Sequence, residues 1–240
     1  MIAAFGWGAL GASALLFGAL IAYRLAPSRG VIAVVMALGT GLLIGSVTFE
    51  LIDEALKTST VALVGLLLLI GAAVFTVGDW VISRRGGGER KDPTGAQAEG
   101  SPLAIVLGSV LDGIPESFVL GLTTLQGGVS VSLLAGVILS NLPEGMSSSS
   151  GLKAAHWPES RVMWMWSAVV VVSALSAAAG YVLLDPASGR TGALVQAFAA
   201  GALLAMLADT LLPEAYEVEG ILTGFLVVSG FAVSLALSAI

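Results

Sequence analysis

Two stretches decide how this chain is read: Leu111-Asp112-Gly113-Ile114-Pro115-Glu116-Ser117 and Leu139-Ser140-Asn141-Leu142-Pro143-Glu144-Gly145. Both carry Leu-x-x-Leu/Ile-Pro-Glu followed by a small residue, and both lie inside long apolar runs. An uncompensated carboxylate at the centre of a bilayer costs on the order of 3 kcal/mol. Asp112, Glu116 and Glu144 together cost roughly 9 kcal/mol before their mutual repulsion is added. Neither run contains a Lys or Arg to neutralise them. Protons, water or a metal cation must do so. The alternative is that the acids are protonated and join helices by hydrogen bonds.

The composition around these stretches sets the solvent. Of 240 residues, 57% are hydrophobic and 11% charged, against about 25% charged in ordinary soluble domains. A soluble enzyme is excluded, and the 31 glycines suit spanning helices. There is no cysteine and one histidine, so disulfides, thiolate metal sites and multi-imidazole sites are excluded together. The excess of 16 acidic over 10 basic residues makes the position of the acids the informative quantity.

A spanning helix needs about 20 mostly apolar residues. Eight segments qualify: Met1–Tyr23, Gly30–Phe49, Thr58–Gly78, Pro102–Leu125, Val129–Ser150, Val162–Leu184, Thr191–Pro213 and Gly220–Ile240. The first has no basic start or clear cleavage site, so it reads as a span and not as a removable signal. The fold class is therefore an all-α integral membrane protein, one transporter-sized domain over residues 1–240. Residues 84–101, rich in Gly, Arg, Glu and Lys, read as a flexible cytoplasmic loop between helices three and four.

Basic residues fix the expected orientation. Loops after helices one, three and five hold Arg24, Arg29, Arg84, Arg85, Arg90, Lys91, Lys153 and Arg161; the opposite loops hold only Lys57 and Arg190. The odd-numbered loops are then cytoplasmic and both termini extracytoplasmic, in a multi-pass protein of the plasma (inner) membrane.

Two repeats organise the spans. The Pro-Glu motif pairs helix four with helix five. A looser repeat pairs Gly41 to Ala55 with Gly201 to Ala215, hence helix two with helix seven, each copy ending in acids. Both pairings join helices of opposite direction. That is inverted-topology symmetry of the kind secondary transporters use, here a 3+2+3 arrangement about the central pair.

The motifs also suggest ligands. Proline inside a helix removes one hydrogen bond, so Pro115 releases the carbonyl of Leu111 and Pro143 that of Leu139. Asp112 and Glu116 share a helix face, as do Ser140 and Glu144. Folding helix four back on helix five through the Gln126-Gly127-Gly128 turn would gather Asp112, Glu116, Ser140, Asn141 and Glu144. Such an oxygen-donor set suits a divalent ion. Glu50 and Asp209, at the edges of helices two and seven, read as gate, ligand or proton relay, or as interfacial residues. Asp53, Glu54, Glu214, Glu217 and Glu219 read as solvated helix ends or a weak cation funnel. His156 reads as an interfacial loop residue, and Trp164 and Trp166 as lipid-facing residues or interface anchors.

Eight spans with both termini outside, a long loop between helices three and four, and paired Pro-Glu motifs resemble the ZIP (Zrt/Irt-like protein) family of divalent-metal transporters. That family carries His-Asn-x-Pro-Glu-Gly in helix four and a similar motif in helix five. Here Asp112-Gly113-Ile114-Pro115-Glu116-Ser117 keeps only Pro-Glu, whereas Ser140-Asn141-Leu142-Pro143-Glu144-Gly145 matches closely. The resemblance implies metal ligands at Asp112, Glu116, Asn141 and Glu144, with Ser140 a weak one. It also implies an elevator-type movement of helices one, four, five and six against the rest, with Glu50 and Asp209 on the other block.

Both motif histidines are replaced, by Asp112 and Ser140, and zinc favours nitrogen and sulfur donors. A site made of oxygens favours manganese or iron(II), so the cargo class is zinc, manganese or iron. No permanently bound cofactor is implied. The expected partners are divalent metal ions and the lipid bilayer, with no nucleic acid and with a homodimer among the assemblies open to the chain. An enzyme is not expected: a zinc protease needs histidines, and Asp79 has no paired aspartate motif. The competing readings are a transport-inactive metal-binding or sensing homologue and a carrier of a non-metal cation.

Overall fold

The structure is a computed structural model and describes residues 1–87, 102–125, 127–182 and 189–239. Among them there is no strand, and eight helices follow one another. They are α1 (Ile2–Arg24), α2 (Arg29–Thr58), α3 (Val61–Gly86), α4 (Pro102–Leu125), α5 (Val131–Ala154), α6 (Glu159–Val182), α7 (Thr191–Glu219) and α8 (Leu222–Ser238). Six of these are long and apolar enough to cross a membrane, as in a multi-pass membrane protein. The other two are α8, a shorter apolar helix, and α5, whose Ser147-Ser148-Ser149-Ser150 run lowers its hydropathy. Of the loop expected over 84–101, residues 88–101 lie outside the described residues. Its first residues instead continue α3 as a π turn, Ser83–Gly87, which breaks at Gly86 (φ 91).

Helices α2 and α7, like α3, run past the ends the sequence suggests. The acids at Glu50 and Asp209 do not stop them. α2 passes through a π turn at Val47–Ile52 and continues to Thr58, where Ser59 turns extended and Thr60 caps α3. Its last turn carries Asp53, Glu54 and Lys57, with Lys57 paired at 2.8 Å to Glu54 and 3.7 Å to Asp53. α7 passes through a π turn at Leu207–Leu211 and continues to Glu219, ending at Gly220 with φ 58. An inserted residue of this kind is common at functional positions in helices. Neither Pro115 nor Pro143 breaks its helix.

Glycine decides which helices touch. α1 packs on α5, α4 on α6, α2 on α8 and α3 on α7. Each pair crosses where two glycines let backbones meet, reciprocally: Gly18 and Gly145, Gly121 and Gly180, Gly41 and Gly230, Gly71 and Gly201. A Cβ at any of these would overlap a carbonyl of the facing helix. In lipid, where apolar surface gives no drive to associate, such close packing is the main source of helix adhesion. α1 also packs on α4 and α6, which makes one group of α1, α4, α5 and α6. The second group is α2, α3, α7 and α8, and the seam between them is formed by α2 against α5 and by α4 against α7 and α3.

The core follows this plan. Met36, Leu43, Val119, Leu120, Leu133 and Val137 are buried where α2, α4 and α5 meet. A second cluster around Leu15, Leu152 and Trp166 fills the first group. Trp166 is thus fully buried, its Nε1 donating to Ser149 Oγ at 2.9 Å. That corrects its reading as a lipid anchor: the indole N–H finds a partner inside the bundle, so the ring has no need of the interface. Trp164, 78% exposed, remains outward, and His156 is exposed.

Candidate functional site

α4 and α5 carry the motif residues inward. Exposure is 2% for Asp112 and Glu116, 1% for Ser140, 4% for Asn141 and 3% for Glu144. No Lys, Arg or His is buried among the described residues. The salt bridges among them are Arg24–Glu159 and those of Lys57, all at helix ends and exposed. Three acids buried in an apolar bundle without a buried base leave their compensation to dipoles, to protons or to something bound.

The two helices touch at Glu116 and Ser140. Ser140 Oγ donates to Glu116 Oε1 at 2.9 Å, with Val137 O an alternative acceptor at 3.0 Å. Asn141 Nδ2 donates to Gly11 O of α1 at 3.3 Å, which fixes the amide plane. The short turn at Gly127-Gly128 (φ 133 and 137) reverses the chain but does not lay α4 flat against α5. α4 spends its surface on α6, and α5 spends its surface on α1. Of the residues expected to gather across the turn, Glu116 and Ser140 are in direct contact. Among the described residues, no three Asp, Glu or His side chains stand close enough to hold a metal ion by themselves. Any ion bound here takes carboxylates together with neutral oxygens.

The carbonyl that Pro143 releases is also differently used. Leu139 O faces Gly39 of α2, where a Cβ would overlap it. The α2 backbone at Gly39 therefore lies close over this carbonyl at the seam. The carbonyl is not held open as a ligand.

Glu50 and Asp209 stand apart from the motif residues. The Glu50 carboxylate accepts from Ser130 Oγ, and Ser130 is also the N-cap of α5, receiving Leu133 N–H at 3.0 Å. Ser130 and Ser140 are separated along α5 by about 15 Å at 1.5 Å per residue. Asp209 is exposed and accepts from Thr76 Oγ1 of α3 at 3.2 Å. Neither joins the Glu116–Ser140 contact.

Sequence reasoning passed over several buried hydroxyls. Ser109 and Ser148 lie one turn from Asp112 and Glu144, and their Oγ atoms are buried without a hydrogen-bond partner among the described residues. Ser173 of α6 faces Gly113, with its Oγ 3.0 Å from where a Cβ would stand. The signal was present as serines three and four residues from the acids, but a serine in a membrane helix commonly bonds its own backbone and does not advertise itself. A second cluster joins α2, α5 and α8: Ser46 Oγ lies 2.7 Å from Ser132 Oγ, which lies 2.8 Å from Ser234 Oγ. No protein-family model matches the chain, and no curated protein matches it.

Proposed function

We propose that this protein is a membrane transporter for a divalent metal cation of the zinc, manganese or iron class, working by alternating access. The observation that carries the proposal is the burial of Asp112, Glu116 and Glu144 to 3% exposure or less inside a bundle of apolar helices. A mobile cation with an all-oxygen shell is the partner such a set suits. Asp112, Glu116, Asn141 and Glu144 would supply its ligands, with Ser140 holding Glu116. The resemblance to the ZIP family supports the same reading, and the loss of both motif histidines favours manganese or iron over zinc.

The proposed frame is eight spans in a 3+2+3 inverted repeat, with termini outside and basic loops on the cytoplasmic face of the inner membrane. The packing supports it. Exchanging α1 with α6, α2 with α7, α3 with α8 and α4 with α5 maps the four glycine-crossed pairs onto one another. The π turns at Val47–Ile52 and Leu207–Leu211 also exchange. In the proposed elevator, the group of α1, α4, α5 and α6 would carry the motif acids, and its packing as a group supports that role. Glu50, at the extracytoplasmic end of α5 in this frame, would serve as an entry-side gate. Asp209 would lie toward the cytoplasmic end of α7.

Purified protein in liposomes tests this directly. Uptake of manganese, iron or zinc is expected, falling at least tenfold in Glu116→Gln and in Glu144→Gln. Uptake unchanged in both variants refutes the assignment. A second reading, a carrier for a non-metal cation, is favoured by the absence of three converging carboxylates among the described residues. It wins if none of the metals is accumulated while the same acids remain essential for uptake of an organic cation.

A further inference from the structure

The geometry assigns a binding site for the phosphate headgroup of an anionic membrane lipid to a cavity between α1, α2 and α5. The cavity has a volume of about 350 Å³ and is lined by Ala22 of α1, Ala26 and Pro27 of the connection, Arg29 and Ile32 of α2, and Lys153 of α5. Its two charges are both positive. Arg29 forms no ion pair among the described residues, and Glu219 lies against Gly30 without pairing with Arg29. Lys153 donates to Ala22 O at 3.3 Å and to Tyr23 O at 3.0 Å. Carbonyls hold the ammonium in place without cancelling its charge, and an ammonium has a third N–H to offer.

The surroundings identify the level in the membrane. Tyr23 OH donates to Trp157 O at 2.7 Å, and the Arg161 guanidinium stacks on the Trp157 ring at 3.8 Å. Tyr and Trp beside basic side chains mark the headgroup region. The rest of the lining, Ala22, Ala26, Pro27, Ile32 and Ala154, is apolar apart from the Ser150 hydroxyl. That suits a glycerol backbone or the first methylenes of an acyl chain better than a free, fully hydrated ion. Basic pockets between spanning helices on the cytoplasmic side are where anionic headgroups bind. Two positive charges also disqualify the cavity as a cation route, so it is separate from the carboxylate site. Because it joins α1 and α5 of one group to α2 of the other, a lipid seated there would hold the groups in this relative position. That last consequence rests on the two-group transport reading, whereas the binding itself does not.

The test is titration of the full-length protein in detergent with short-chain phosphatidylglycerol, phosphatidylcholine and inorganic phosphate, with binding read by native mass spectrometry. Phosphatidylglycerol should bind and phosphatidylcholine should not compete. Arg29→Gln should weaken binding about fivefold, the worth of one basic residue near a charged headgroup. Ala154→Phe, which fills the cavity from α5 without touching charge, should weaken it at least as much. Arg161→Gln, outside the cavity, should leave it unchanged. Lys153→Gln also uncaps α1, so Arg29→Gln and Ala154→Phe decide. Equal loss in Arg161→Gln would show diffuse attraction and overturn the site. Inorganic phosphate competing on equal terms would overturn the lipid. Metal flux is not read, so failure here leaves the transport reading standing, and failure of transport leaves this one standing.

Discussion

Gly39→Ala separates a moving seam from a rigid bundle. A methyl at position 39 would overlap Leu139 O and C and stand 3.0 Å from Ser140 N. All three are backbone atoms, held by α5, and cannot rotate away. Overpacking of this kind costs about 1–3 kcal/mol. Gly18→Ala makes a comparable clash with the backbone at Leu142 and Met146, but between α1 and α5 of a single group. If the two groups slide past each other, the Gly39 clash exists in one arrangement only. A difference of about 1–3 kcal/mol between two arrangements shifts their ratio about 5- to 150-fold. The Gly18 clash exists in every arrangement and lowers stability throughout. The chain has no cysteine, so Ser132→Cys, buried where α5 meets α2, serves as a single labelling site. Maleimide labelling of the introduced thiol should accelerate in the Gly39→Ala background with little change in melting temperature. In the Gly18→Ala background the melting temperature should fall and labelling should stay slow. Equal melting losses with unchanged labelling in both would refute the sliding seam.

Three further outcomes follow from particular contacts. Restoring imidazoles with Asp112→His and Ser140→His should raise zinc uptake relative to manganese, since zinc favours nitrogen donors; an unchanged ratio in liposomes removes these side chains from the ligand set. Trp166→Phe leaves the buried Ser149 hydroxyl without its donor and should cost about 1–3 kcal/mol, read as a lowered melting temperature with no change in metal preference. Ser130→Ala removes both the α5 cap and one partner of Glu50. It should cost about 1 kcal/mol of stability from the cap alone, and a Glu50→Gln background should reduce that loss if the two contacts are coupled.

The helices were legible because the bilayer makes their code simple: an apolar run must hydrogen-bond its own backbone, so length and hydropathy suffice. Their ends were less legible. Glu50 and Asp209 look like stop signals on composition, yet a carboxylate that finds Ser130 or Thr76 has no reason to end a helix. Partners were harder still. Adjacency in sequence suggested α4 on α5, but what assigns α4 to α6 and α5 to α1 is the register of Gly121 against Gly180 and of Gly18 against Gly145. That register depends on residues more than fifty positions apart, and nothing local reports it. The motif acids were visible singly, because a charge in an apolar run is conspicuous. Their distances were not, because a helix pair with little contact and a pair packed along its length can have the same sequences.

The looser of the two sequence repeats turns out to be the better structural guide. The Pro-Glu copies share Leu, Pro and Glu at matching places but are unlike in use: Glu116 receives a hydroxyl from Ser140, while Asn141, one residue on, reaches a third helix. The copies in α2 and α7 match more loosely, yet both pass through a π turn and both cross a partner at a matched glycine, Gly41 or Gly201. Backbone features that set shape tolerate any apolar side chain around them, so sequence drifts while geometry stays. Residues that carry charge cannot drift without changing chemistry. An arrangement with symmetric shape and asymmetric chemistry suits a carrier that must present one site to two unlike sides of a membrane. In this protein the unlike elements are Glu50 held at the head of α5 and Asp209 held against Thr76 of α3.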